Sequence, residues 1–235
     1  MDELLNKIRE DLLKYSDPKV KLASKRFFKE EFNNYGVKAM YVHQIAKEHF
    51  KIIKNEPKEV VFEGCKALFE TNIMEESLIA CDWSYALKKQ LEPNDFKVLE
   101  NWIDSYITNW ATCDTLCTKT VGFFIEQYPE YLEELKKWTQ SKNLWKRRAS
   151  AVSLIFPAKH GLFLNDILEI ADNLMLDNED MVQKGYGWML KVASQTNQQA
   201  IFNYVMQHKI KMPRTALRYA IEKMPKELKQ EAMKK

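Results

Sequence analysis

The stretch ELLNKIREDLL (Glu3–Leu13) opens the chain with apolar residues at Leu4, Leu5, Ile8 and Leu12 and polar or charged residues between most of them. Four-residue spacing gathers those apolar side chains on one face of a helix, whereas a strand, with a side-chain period of two, would scatter them. The same spacing recurs over 19–31, 38–53, 57–70, 74–90, 95–108 and 110–127. It continues over 129–140, 144–157, 163–175, 179–194, 198–208 and 213–223, with a short tail to 233. Asp17-Pro18, Glu56-Pro57, Glu92-Pro93-Asn94, Tyr128-Pro129 and Lys211-Met212-Pro213 punctuate the series. Proline suits the first turn of a helix and is disfavoured inside one. Asn197, after Thr196, offers a side-chain cap for the helix that follows it.

The 235 residues are 46% apolar, enough to bury a sizeable core, yet they contain only 6 Gly and 7 Pro. Strand-rich folds need many tight turns, so this scarcity predicts an all-α protein. The helices follow one another with short connections and no linker or low-complexity stretch. Adjacent pairs of roughly 35–45 residues fit stacked HEAT-like repeats. The expectation is one domain, 1–235, a right-handed superhelical solenoid whose concave face cradles an extended partner. On pattern alone, an irregular helical bundle is the alternative.

Several classes are excluded. The longest apolar stretches fall short of the ~20 residues that cross a bilayer, and the acidic, amphipathic start MDELLNKIREDLL is unlike a signal peptide. A soluble cytoplasmic protein is expected, with no membrane partner. Cys65, Cys81, Cys113 and Cys117 do not form the framework of a disulfide-stapled domain. Cys113 and Cys117 are four apart on one helix, but no His or second Cys pair lies near them in sequence; small packing residues explain them better than a metal site. Net charge is +3 and uneven: residues 142–235 carry 16 Lys and Arg against 9 Asp and Glu, residues 1–141 carry 20 against 24. A basic C-terminal half suits a phosphate-rich partner.

Three phrases carry candidate chemistry. In NWATCD (Asn109–Asp114), Trp110 and Asp114 are one helical turn apart, an aromatic face beside a carboxylate, which together select flat cations. In LWKRRA (Leu144–Ala149), Trp145, Lys146, Arg147 and Arg148 place cations on one helix. In QKGYGWML (Gln183–Leu190), Trp188 follows Lys184 by one turn. Gly185 and Gly187 each cost a helix ~1 kcal/mol relative to alanine, which predicts that something approaches closely there. Arg214 and Arg218 share a helix face after Pro213 and suit phosphate. Taken singly, each phrase is also what core tryptophans and solvated charges produce.

Together, in this order and within an all-helical chain, the phrases resemble the DNA alkylation repair family, the AlkD-type HEAT-repeat alkylpurine-DNA glycosylases. The resemblance spans nearly the whole chain, from Gly36-Val37-Lys38 to Arg214–Ala220. It rests on Trp-x-x-x-Asp at Trp110 and Asp114, Trp-x-x-Arg-Ala ending at Arg148 and Ala149, and Lys-x-x-Gly-Trp at Trp188. It implies hydrolysis of the N-glycosidic bond of N3- and N7-alkylated purines in duplex DNA. Asp114, Trp110, Trp188 and Arg148 would carry catalysis, and Lys38, His43, Arg147, Lys184, Arg214 and Arg218 would contact DNA. It implies no metal and no organic cofactor, and a monomer whose partner is double-stranded DNA carrying alkylated purines. The chain departs from the family pattern at Ala111 and Thr112 and, in its N-terminal part, at Met40 and His43. The other readings are a non-catalytic relative that binds branched or distorted DNA, and a protein-binding helical scaffold.

Overall fold

The computed structural model describes residues 1–29 and 31–234. Among them the only bridge of strand type is an isolated pairing of Asn33 with Ile73; the protein is all-α, as its periodicity predicts. The chain divides into two compact units, Met1–Leu116 and Cys117–Lys235. No helix is long and apolar enough to cross a membrane among the described residues.

The first unit contains α1 (Asp2–Lys14), α2 (Pro18–Ser24), α3 (Ala39–Ile53), α4 (Lys58–Glu70), α5 (Met74–Ala86), α6 (Phe96–Tyr106) and α7 (Trp110–Leu116). Leu4, Leu5, Ile8 and Leu12 are the buried stripe of α1, which packs on α3. Helix α5 is different. It contacts α3, α4 and α7 and buries most of its residues, so it shows no apolar stripe. Trp83 ties it to α3 by donating its indole N–H to the Ala46 carbonyl at 2.9 Å.

Two buried carboxylates begin α5, and each is satisfied. Glu75, only 3% exposed, accepts the backbone N–H groups of Tyr35, Gly36 and Val37 at 2.9, 2.9 and 3.0 Å. Glu76 accepts the Tyr35 hydroxyl at 2.7 Å and lies 3.3 Å from the Arg9 guanidinium. Burial, and next the Glu76 carboxylate, push the Tyr35 phenol up. Gly36 has φ +85°, and a Cβ there would sit 2.6 Å from the Asp17 carbonyl, so only glycine fits this turn.

The helix expected over 19–31 is shorter. Asp17 caps α2 by accepting the Lys19 N–H at 2.7 Å, and Pro18 takes the first position, but no residue of α2 is buried. A helix with no packed face has little to extend it. After a 3-10 turn at Lys25–Phe27 the chain becomes extended at Phe28.

The second unit opens on a π-helical turn, Cys117–Val121. It continues through α8 (Gly122–Gln127), α9 (Leu132–Trp138), α10 (Leu144–Val152), α11 (Ile155–Lys159), α12 (Leu164–Leu174), α13 (Asp180–Ala193), α14 (Gln198–His208), α15 (Arg214–Ala220) and α16 (Lys226–Met233). Helix α13 is central, packing against α10, α11, α12, α14 and α15.

The single helix expected over 144–157 is broken after Val152. Pro157 has no N–H for the Ser153 carbonyl, and an unbroken helix would lose about 3 kcal/mol at that residue. Gly122 closes on the Ser153 carbonyl instead, so near that a Cβ would lie 2.7 Å away. All four cysteines are buried, Cys65, Cys81 and Cys113 in the first unit and Cys117 in the second.

Candidate functional site

Helix α7 is short and its start is fixed by Asn109. This buried side chain accepts the Thr112 N–H at 3.0 Å, a helix cap, while the Asn109 carbonyl accepts the Cys113 N–H. Thr112, Cys113 and Leu116 turn inward, and α7 packs on α5. That leaves Trp110 and Asp114, one turn apart, half-buried on the remaining face. Their Cβ atoms are neighbours by helix geometry, about 5–6 Å apart. The π-helical turn begins three residues after Asp114; such turns concentrate at functional positions.

The Trp110 indole is held from outside its helix. Its Nε1–H donates to the Phe27 carbonyl at 3.1 Å, and the Phe28 ring stacks on it with centroids 5.1 Å apart and planes 12° apart.

In the second unit, Arg148 projects from α10 across α13 at Gly185. A Cβ at Gly185 would meet Arg148 Cγ at 3.2 Å and Nη1 at 3.4 Å. Arg148 Nη1 donates to the Met181 carbonyl, and the residue is only 5% exposed. Gly187 serves another approach, that of α15: a Cβ there would lie 2.7 Å from Tyr219 Cβ and 2.8 Å from the Ala216 carbonyl. Both glycines therefore have the close neighbour that their helical cost predicts. Trp188 is half-buried, one turn past Gly185.

The other candidates are placed as follows. Arg147 differs from expectation. It grips Asp177 through Nε at 2.6 Å and Nη2 at 3.3 Å, and its Nη1 donates to the Ser141 and Lys142 carbonyls. A guanidinium so fully engaged braces the loop before α10 and has little left for phosphate. Lys184 pairs with Asp180 at 3.0 Å, one turn back on α13. Lys38 is exposed just before α3; His43, half-exposed on α3, is hydrogen-bonded to Asp82. Arg214 and Arg218 are both exposed on α15, with Arg214 donating to the Met233 carbonyl at 3.4 Å.

One basic element escaped the sequence reading. Lys19, Lys21, Lys25 and Arg26 are all exposed, and among the described residues no ion pair involves them. Beside them Phe27 is 69% exposed. Cations interleaved with aromatics suit a nucleic-acid backbone. The signal was present as PKVKLASKRFFK (Pro18–Lys29), a run without an acidic residue, but charge summed over residues 1–141 concealed it.

The chain matches the family model described as DNA alkylation repair enzyme over residues 8–224. It belongs to the DNA alkylation repair enzyme family. Among solved structures it is similar to a predicted DNA alkylation repair enzyme from Enterococcus faecalis, with a TM-score of 0.80 and 17% identity. The similarity covers 90% of this chain and 97% of that one; at such low identity it speaks for the fold. No curated protein matches the sequence.

Proposed function

We propose that this member of the family is a DNA glycosylase that releases N3- and N7-alkylated purines from duplex DNA. The observation that carries the reading is the placing of Trp110 and Asp114 on α7, half-buried and one turn apart, on a helix whose other face is locked into the core.

Alkylation at N3 or N7 makes the purine cationic, and a flat cation is attracted to the face of an indole. Cleavage breaks the bond between C1′ and the purine N9. Its electron pair moves into the ring and cancels the positive charge, while positive charge builds on the sugar. Asp114 stabilises that charge and orients the water whose oxygen bonds to C1′ as its proton passes to bulk solvent. Partial burial strengthens these terms relative to open solvent. Trp188 supplies a second indole. Arg148, crossing α13 at Gly185, holds the helix that carries Trp188. Lys38, His43, Lys184, Arg214 and Arg218, with Lys19, Lys21, Lys25 and Arg26, contact the phosphate backbone, and no metal or organic cofactor takes part. We take the chain to act as a monomer on double-stranded DNA.

The test is release of free base from methylated duplex. The parent protein releases 7-methylguanine, and Asp114→Asn slows release by about a hundredfold or more with an unchanged circular dichroism spectrum. A variant as fast as the parent would remove Asp114 from the mechanism. A parent that binds duplex and releases nothing would identify a DNA-binding relative without the activity.

A further inference from the structure

Phe27 and Phe28 are consecutive, yet they meet different surroundings. The 3-10 turn ends at Phe27, and Phe28 is extended, with φ −122° and ψ 139°. Phe27 is mostly in solvent, while Phe28 is half-buried against Trp110. Phe28 also packs on Phe32, with centroids 4.3 Å apart and planes tilted by 49°.

The segment carrying these rings is anchored on both sides. On one side Asp17 caps α2 and donates its N–H to the Gly36 carbonyl at 3.0 Å. On the other, the Asn33 carbonyl accepts the Met74 N–H at 2.9 Å, at the start of α5. An anchored segment can hold a neighbouring side chain in place.

Trp110 needs such a holder. It is the first residue of α7, where no preceding helical turn restricts its rotamer, and an indole turns about two side-chain bonds. Two contacts remove that freedom: the Nε1–H bond to the Phe27 carbonyl fixes the ring edge, and the Phe28 stack fixes its plane. The same stack covers one face of the half-buried indole.

We propose that Phe28 is a positioning residue for Trp110, setting the plane of the indole and the face it presents to a flat cationic base. This rests on the glycosylase reading above for its substrate. Phe28 acts through Trp110 and does not touch the reacting atoms. Duplex affinity is dominated by phosphate contacts, so the loss of Phe28 falls on the chemical step and spares binding.

The experiment compares Phe28→Leu, which keeps apolar bulk without a π face, with Phe28→Tyr, which keeps the ring. Two quantities are read: single-turnover release of 7-methylguanine beside duplex affinity, and the Trp110 indole N–H resonance, assigned by its loss in Trp110→Phe. Stacked aromatic pairs of this kind make Phe28→Leu roughly three- to tenfold slower, with affinity unchanged and the indole resonance displaced. Phe28→Tyr restores both the rate and the resonance. The proposal is overturned if Phe28→Leu works at the parent rate, if rate and affinity fall together, or if the indole resonance stays in place. Should the parent release no base, the glycosylase reading fails by itself, and the resonance still decides this one. A duplex-induced shift of the Trp110 signal that Phe28→Leu abolishes supports it, and one that Phe28→Leu retains, or a parent signal that duplex leaves unmoved, overturns it.

Discussion

Alanine at each glycine of α13 separates two kinds of close contact. Glycine inside a helix is disfavoured relative to alanine by about 1 kcal/mol, so each substitution gains that amount where the methyl group fits. At Gly187 it does not fit, because the new Cβ would lie 2.7 Å from Tyr219 Cβ, 2.8 Å from the Ala216 carbonyl and 3.1 Å from Ala216 Cα. Two of these three are backbone atoms of α15, so no side-chain rotation relieves the clash and the helix itself has to shift. Overpacking of this kind costs about 1–3 kcal/mol, and the upper end applies here. After the propensity gain, Gly187→Ala loses about 1–2 kcal/mol. At Gly185 the nearest atoms are Arg148 Cγ at 3.2 Å, Arg148 Nη1 at 3.4 Å and Val152 Cγ1 at 3.5 Å, all in side chains that can yield by a few tenths of an ångström. Gly185→Ala therefore falls between neutral and about 1 kcal/mol more stable. Urea unfolding followed by far-ultraviolet circular dichroism measures both as shifts of the midpoint at constant slope. A Gly187→Ala midpoint equal to the parent's, or a larger fall for Gly185→Ala, would refute the reasoning.

Further outcomes follow from the first unit. Glu75→Gln replaces a carboxylate that accepts three backbone N–H groups by an amide whose NH2 would confront donors; it destabilises the protein by roughly 3 kcal/mol in the same unfolding assay, and a loss below about 1 kcal/mol would show the clamp to be dispensable. Asp11 is held below the usual carboxylate range, first by its bond to Lys14 and then by its bond to His49. A carboxylate depressed in this way adds stability above its unfolded value near ~3.9, and the contribution disappears as pH falls through the folded value. Asp11→Asn is then less stable than the parent near neutrality, and the gap narrows as acid is added; a gap independent of pH would contradict this. Lys25→Glu combined with Arg26→Glu weakens duplex binding and reduces the slope of log affinity against log salt by about 2, whereas a slope equal to the parent's would exclude Lys25 and Arg26 from the DNA contact.

Much of the fold was legible because helix periodicity is local. The stripe of Leu4, Leu5, Ile8 and Leu12 predicts α1 and is its buried face. Periodicity failed where a single residue overruled it. Pro157 lies within a helical pattern, and the break it forces falls four residues earlier, beside Ser153. It failed again over 19–31, where helical spacing existed without a partner to bury it and Phe28 found Trp110 instead. The candidate site was legible by residue type. The pair on α7 is visible as a spacing of four, and the two α13 glycines announced close neighbours. Which neighbours they meet, Arg148 at one and α15 at the other, is tertiary information. So is the engagement of Arg147 with Asp177, thirty residues on, which no charge count over a helix reveals.

The burial of the four thiols acquires a meaning once alkylation repair is the setting. Methylating electrophiles attack the softest nucleophile within reach, and in a protein that is a solvent-accessible thiolate. Cys65, Cys81, Cys113 and Cys117 offer none, and burial further raises the Cys65 thiol away from ionisation. The folded protein thus presents none of its four thiols to such reagents.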